Sequence, residues 1–138
     1  MPKYISKSAE ETKQIAAKLA KKNKGRIFAL SGELGAGKTI FVQGFAQGLG
    51  ITEKIISPTF VLVRQHPIPN TKKVLYHIDL YRLEDIKDIN QLGLSEIWSD
   101  PNNYVLIEWA ERIKDFLPKE TVKINIEKED QNRIITVS

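Results

Sequence analysis

The chain has 138 residues, 41% of them apolar and 28% charged, which suits one globular domain with a real core and little room for a second. It contains no cysteine and only His66 and His77, which rules out disulfides, thiol catalysis, cysteine-ligated zinc and a histidine-built metal centre. No apolar run is long enough to cross a bilayer, the N-terminus lacks a signal-peptide core, and the formal charge of +4 is too mild to define a partner.

In chain order, Tyr4-Ile5 predicts a short edge strand. Ser8-Ala9-Glu10-Glu11 has capping-box spacing, and Thr12, Ile15, Ala16 and Leu19 carry helical periodicity to about Asn23. Much of the positive charge sits here, in Lys13, Lys18, Lys21, Lys22, Lys24 and Arg26. It reads as a solvated face in preference to a docking surface for an acidic partner or RNA. Arg26-Ile27-Phe28-Ala29-Leu30 then reads as a buried strand. A helix follows from about Lys38, with Phe41, Phe45 and Leu49 on one stripe and Gly50 placed to end it.

Between that strand and that helix lies Gly32-Glu33-Leu34-Gly35-Ala36-Gly37-Lys38-Thr39. The pattern is Gly, four residues, Gly, Lys, Thr, in the strand-to-helix setting that gives it meaning. Its glycines let consecutive backbone N–H groups close on a polyphosphate. Lys38 brings an ammonium to the outer phosphates, and the Thr39 hydroxyl suits the Mg²⁺ that bridges them. The helix start adds the positive end of its dipole. Glu33, Leu34, Gly35, Ala36, Gly37, Lys38, Thr39 and Ile40 are therefore the expected nucleotide-binding residues, with a nucleoside polyphosphate and Mg²⁺ as ligands.

Ile55-Ile56-Ser57-Pro58-Thr59-Phe60 reads as a loop leading to a strand over residues 61–66. Pro67-Ile68-Pro69-Asn70 closes that strand, and residues 73–80 form its antiparallel neighbour. Leu83-Glu84-Asp85-Ile86 and the stretch from Gly93 to Trp98 predict short helices. Tyr104-Val105-Leu106-Ile107 has the continuous apolar character of a strand buried on both faces. A short helix from Ala110 to Phe116 stops at Pro118, and residues 121–126 and 133–137 form a terminal hairpin around Lys128-Glu129-Asp130-Gln131. The expected fold is a single three-layer α/β domain over residues 1–138. Its sheet is mixed but mostly parallel, with a C-terminal β-hairpin, in the manner of a P-loop NTPase.

Phosphoryl chemistry needs acids near the metal and a group to orient the attacking water. Asp79 and Glu108 each follow an apolar strand, at the carboxyl ends where ligands collect in open α/β sheets. The more apolar run before Glu108 places its strand beside the loop strand, which favours Glu108 as the metal-side carboxylate. Asp79 divides evenly between a site role and a polar strand end. Thr59 reads on pattern alone as a proline turn, Trp109 as core or pocket wall, and His77 as structural rather than a base. Arg64 and Arg82 suit a phosphate or the surface equally.

The loop at 32–39, Ser-Pro-Thr-Phe at 57–60, His-Ile-Asp-Leu-Tyr-Arg at 77–82 and Ile-Glu-Trp-Ala-Glu at 107–111 together resemble the bacterial TsaE (YjeE-type) ATPases, in the same order and over nearly the whole length. The resemblance implies a cytoplasmic ATPase that works with TsaD and TsaB to make N6-threonylcarbamoyladenosine at tRNA position 37. It would meet tRNA only through that complex, need no membrane, and be a monomer on its own. Hydrolysis would reset the complex rather than drive the transfer. By motif position the resemblance makes Lys38, Thr59 and Asp79 the catalytic set and Thr39 and Glu108 the metal set, with Trp109 beside the nucleotide, which it implies is ATP.

Three rivals carry less. A small-molecule kinase would want an arginine-rich lid and an acceptor pocket. A GTPase would want Asn-Lys-x-Asp, whereas Asn23-Lys24-Gly25-Arg26 lacks the Asp and precedes the loop. A nucleotide-gated binding module with incidental hydrolysis overlaps the favoured reading.

Overall fold

The computed structural model describes residues 2–33, 36–53, 63–81 and 93–138. Strand β1 (Lys3–Ser6) leads into helix α1 (Ala9–Lys22), strand β2 (Ile27–Ser31) and helix α2 (Lys38–Gly48). Strands β3 (Val63–Pro67) and β4 (Val74–Asp79) follow, then helix α3 (Leu94–Ser99) and strand β5 (Asn103–Glu108). A 3₁₀ helix (Ala110–Phe116) and strands β6 (Val122–Glu129) and β7 (Asn132–Val137) complete the chain.

The strands form one seven-stranded sheet in the order β1-β7-β6-β2-β5-β4-β3. Its centre, β6-β2-β5-β4, is parallel throughout, and the two flanks add antiparallel pairs. This is the mixed sheet that the alternation of strands and helices predicts. The apolar Val105, Leu106 and Ile107 are fully buried because β5 has a parallel neighbour on each side and helices over both faces. The edges fall to β1, as expected, and to β3, where Pro67 lacks an N–H to offer a further strand.

Helix α1 begins where the sequence places it. Ser8 Oγ accepts from Glu11 N at 3.1 Å, and the Glu11 carboxylate accepts from Lys7 N at 2.9 Å, one residue before the usual capping-box donor. Helix α2 closes as a Schellman turn, with Ile51 N donating to Ala46 O and Gly50 N to Gln47 O. The two helices share one face of the sheet and meet backbone to backbone. A Cβ on Gly44 would lie 2.4 Å from Lys13 Cα, and one on Gly48 2.5 Å from Ala17 O. Phe28, Phe41, Phe45, Leu106 and Ile124 pack beneath them. Burying each such side chain contributes about 1.5–3 kcal/mol.

The opposite face is covered over β2, β5 and β4, where Leu94 of α3 and Ala110 and Ile113 of the 3₁₀ helix pack on Ile27, Ile78 and Ile107. Three layers are therefore complete over that half of the sheet. The expected basic face is exposed at Lys18, Lys21, Lys22 and Lys24. Arg26 departs from it, since its guanidinium donates to Asp100 O and Asn103 O at 2.9 Å and ties β2 to the start of β5.

Other expectations change in detail. The helix over 110–116 is 3₁₀ and kinked at Ile113, whose φ of −128° leaves the helical range. The terminal hairpin keeps its strands paired to Glu129 and Asn132, leaving Asp130-Gln131 as its tip. Asp130, at φ 54°, takes the left-handed turn that Asp tolerates better than most residues. The helix predicted at 83–86 and the loop at 57–60 lie outside the described residues.

Candidate functional site

The carboxyl ends of β2, β4 and β5 lie side by side. In the sheet register Leu30 pairs with Glu108 and Glu108 pairs with Asp79, so both acids stand level with the last turn of chain before the glycine loop. They also share a face. Glu108 is two residues from Leu106 and Asp79 two from His77, and the period of two puts all four on the side covered by α2. The apolar patterns that read as strands thus bring Asp79 and Glu108 to one place.

The loop reaches that place by a backbone route few residues can take. Gly32 has φ 149°, and a Cβ there would lie 2.5 Å from Ile126 O. Gly37, at φ 100°, is the N-cap of α2 and supplies no capping side chain. Of the remaining loop residues, Glu33 is exposed and its carbonyl accepts from Ala36 N at 3.0 Å, while Ala36 is buried. Leu34 and Gly35 lie outside the described residues. Thr39 and Ile40 sit in the first turn of α2, half-buried. Arg133 on β7 donates from Nε to Ala36 O at 3.0 Å and pins the loop to the hairpin. Between them Ser8, Thr12, Gly37, Ile40, Gln131 and Arg133 line a cavity of about 120 Å³ beside the loop.

Lys38 is 5% exposed, and no described carboxylate lies within ion-pair distance of it. Its Nζ donates to Gly32 O at 2.7 Å and lies 3.4 Å from the centroid of the Trp109 ring. Burial lowers its pKa, against the opposing pull of Glu111, Glu108 and Asp79. Among the described residues this buried ammonium is held only by a carbonyl and a ring, and within that set it is short of its counter-charge. Trp109 adopts φ 59° and ψ 36°, an uncommon choice for a bulky residue, and this turns its ring onto Lys38. The Tyr81 ring packs against it, tilted by 44° with the centroids 5.0 Å apart.

Burial also raises the pKa of Asp79, helped by the nearby Glu108 and opposed by the hydrogen bond from Tyr81 N, by His77 and by Lys38. That bond, Tyr81 N to Asp79 Oδ1, is 2.9 Å. Glu108, 3% exposed, accepts from His77 Nε2 at 2.5 Å. No group of three or more metal-ligating side chains is present among the described residues. A hard cation such as Mg²⁺ takes one or two carboxylates and fills its shell with phosphate and water. Glu108 and the Thr39 hydroxyl are the groups here that fit it.

Lys38, Asp79, Glu108 and Trp109 lie near one another, and Thr59 lies outside the described residues. Three further residues join them: His77, read above as structural, and Glu111 and Arg133, given no role there. His77 holds Glu108, and its place two residues before Asp79 on one strand was a usable signal. Glu111, two residues beyond Trp109, adds negative charge near Lys38. Arg133 reaches the loop across 97 residues of sequence, a contact no local pattern reveals.

These features define a single-domain α/β protein in which a glycine loop, a buried lysine and two aligned carboxylates meet at the carboxyl edge of a centrally parallel sheet. Residues 6–135 match the family described as threonylcarbamoyl adenosine biosynthesis protein TsaE. The chain is 42% identical over 136 residues to the tRNA threonylcarbamoyladenosine biosynthesis protein TsaE of Bacillus subtilis, covering 97% of this chain and 83% of that one. It is 39% identical to the protein of the same name from Treponema pallidum, covering 97% and 98% of the two chains. The crystal structure of Bacillus subtilis YdiB superposes with a TM-score of 0.80 at 37% identity, covering 99% of this chain and 83% of that one. The chain belongs to the TsaE family. Among the described residues no helix is long and apolar enough to cross a membrane.

Proposed function

We propose that this protein is a Mg²⁺-dependent ATPase of the cytoplasm. It would serve a TsaD–TsaB complex that makes N6-threonylcarbamoyladenosine in tRNA, the biosynthesis for which its relatives are named. The observation that carries the reading is the buried Lys38, lacking an ion-pair partner among the described residues, set behind a glycine loop and beside the aligned pair Asp79 and Glu108.

The chemistry is in-line attack of water on the γ-phosphorus of ATP, forming one P–O bond as the bond to the β,γ-bridging oxygen breaks. Asp79 orients the water and takes its proton, a task suited to a carboxyl whose pKa burial has raised. Loop N–H groups at the start of α2 and the Lys38 ammonium hold the phosphate charge, and Lys38 leaves Gly32 O to do so. Thr39 and Glu108 would hold Mg²⁺, which would supply positive charge against the phosphate oxygens. Trp109 forms the wall beside Lys38. Thr59 belongs to this machinery by motif position.

Phosphate release from Mg-ATP tests the reading, measured alone and with TsaB plus TsaD. Turnover is expected to be slow alone and at least tenfold faster with the pair, since a cation supplied in trans is worth orders of magnitude. Lys38→Ala should weaken ATP binding by roughly tenfold to a hundredfold, the value of a charge-assisted contact. Unchanged ATP affinity in that variant, or ATP consumed only when a small metabolite is added, overturns the proposal.

A further inference from the structure

We propose that His77 is a positioning residue, holding the Glu108 carboxylate in the orientation from which it meets the divalent cation. The inference deepens the ATPase reading and rests on it. His77 is fully buried on β4, and its Nε2 lies 2.5 Å from Glu108 Oε2 on the neighbouring β5. The contact is diagonal in the parallel register, since His77 pairs with Leu106 and Asp79 with Glu108. The imidazole therefore approaches Glu108 from the strand that carries Asp79.

Two details make the bond look dedicated to that carboxylate. His77 Nδ1 has no hydrogen-bond partner among the described residues, so Glu108 is the ring's one polar contact there. On the carboxylate side the bond engages Oε2, one of the two Glu108 oxygens. The sheet fixes the ring, with Arg64 and Leu106 as its register neighbours on β3 and β5. Asp79 stands level with Glu108, and two neighbouring carboxylates repel unless something fixes their directions. A group one bond behind a metal-side ligand sets that ligand's direction and basicity.

A purely structural bond would serve only to satisfy a buried carboxylate, and cation affinity separates the two roles. Mn²⁺ binding to the ADP complex is read from the free-ion paramagnetic resonance signal in wild type, His77→Phe and His77→Gln. His77→Phe fills the space without a donor and should raise the Mn²⁺ dissociation constant roughly tenfold to a hundredfold. His77→Gln keeps an N–H at the same reach and should stay within about threefold of wild type. ADP affinity in the presence of EDTA should be the same in all three. Equal Mn²⁺ affinity in wild type and His77→Phe overturns the proposal, as does equal loss in the Phe and Gln variants. If His77→Phe does not fold, His77→Asn takes its place, with an amide too short to reach Glu108 and the same expected loss. Wild type that binds ADP but no Mn²⁺ would remove the ATPase reading itself, whereas wild-type Mn²⁺ binding with unaltered variants removes only the role of His77.

Discussion

The neighbouring strands β2 and β5 end at the same level of the sheet, and the chain leaves each through a positive φ, by opposite means. After β2 the turn is made by Gly32, at φ 149°, pressed against the Ile126 carbonyl. After β5 it is made by Trp109, at φ 59°, a residue that resists that region. In the first exit the backbone is the working part, so side chains are stripped away. In the second the side chain is the working part, so the backbone bears a strain of about 1–2 kcal/mol. That strain persists because Tyr81 and Lys38 flank the ring at 5.0 Å and 3.4 Å. Two strand ends of one sheet thus divide the labour between main chain and side chain.

The largest effect that would break this contrast is on the glycine side. Gly32→Ala places a Cβ 2.5 Å from backbone that cannot step aside, at a φ that penalises any side chain. It should lower the unfolding free energy by about 3 kcal/mol or more, measured by chemical denaturation. A loss under about 1 kcal/mol would mean the loop is not seated against the hairpin as described.

The tryptophan side gives a subtler test, because ring and backbone can be separated. Trp109→Ala and Trp109→Gly both remove the ring, and they differ only in what φ 59° costs them. At an ordinary buried position Gly is the less stable of the two by about 0.5–1 kcal/mol. Here the order should reverse, with the Gly variant more stable by about 1 kcal/mol in the same denaturation assay. Alanine as the more stable variant would show that the exit relaxes once the ring is gone, and that Trp109 imposes the strain itself.

Most of the fold was legible because its signals are local. The glycine loop, the cap at Ser8, the closure near Gly50 and the continuous apolar run before Glu108 each declare themselves within a few residues. From them follow the parallel centre of the sheet and the meeting of Lys38 with Asp79 and Glu108. What stayed hidden depends on long-range pairing. Arg133 touches the loop only because β6 returns beside β2 and β7 folds back along it. Arg26 looked like one more surface cation, and its work on the β5 entry appears only once β2 and β5 are paired. His77 lay between, visible as a face-sharing neighbour of Asp79 but bonded to a residue 31 positions away.

Strand β4 completes the comparison, since the chain leaves it without any positive φ at Leu80 or Tyr81 and its last residue, Asp79, acts through its carboxylate. Asp79→Asn should therefore act on neither backbone route. The amide oxygen can still accept from Tyr81 N, and only the negative charge is lost. Burial, with Glu108 nearby, raises the Asp79 pKa above its ordinary 3.8, so the folded state holds that proton more tightly than the unfolded chain does. Stability from this group is accordingly greatest in acid, falls as pH rises from about 3.8 through the folded pKa, and stays lower at neutral pH. Asn carries no such penalty. The variant should melt slightly higher than wild type at neutral pH, lose that advantage as pH falls, and match wild type near pH 3.8, while its phosphate release drops. An Asn variant that melts lower at neutral pH would reverse the sign. It would mean that Lys38 and His77 hold the Asp79 charge more strongly than burial opposes it, and that β4, unlike β5, is shaped for stability at its exit rather than strained for use.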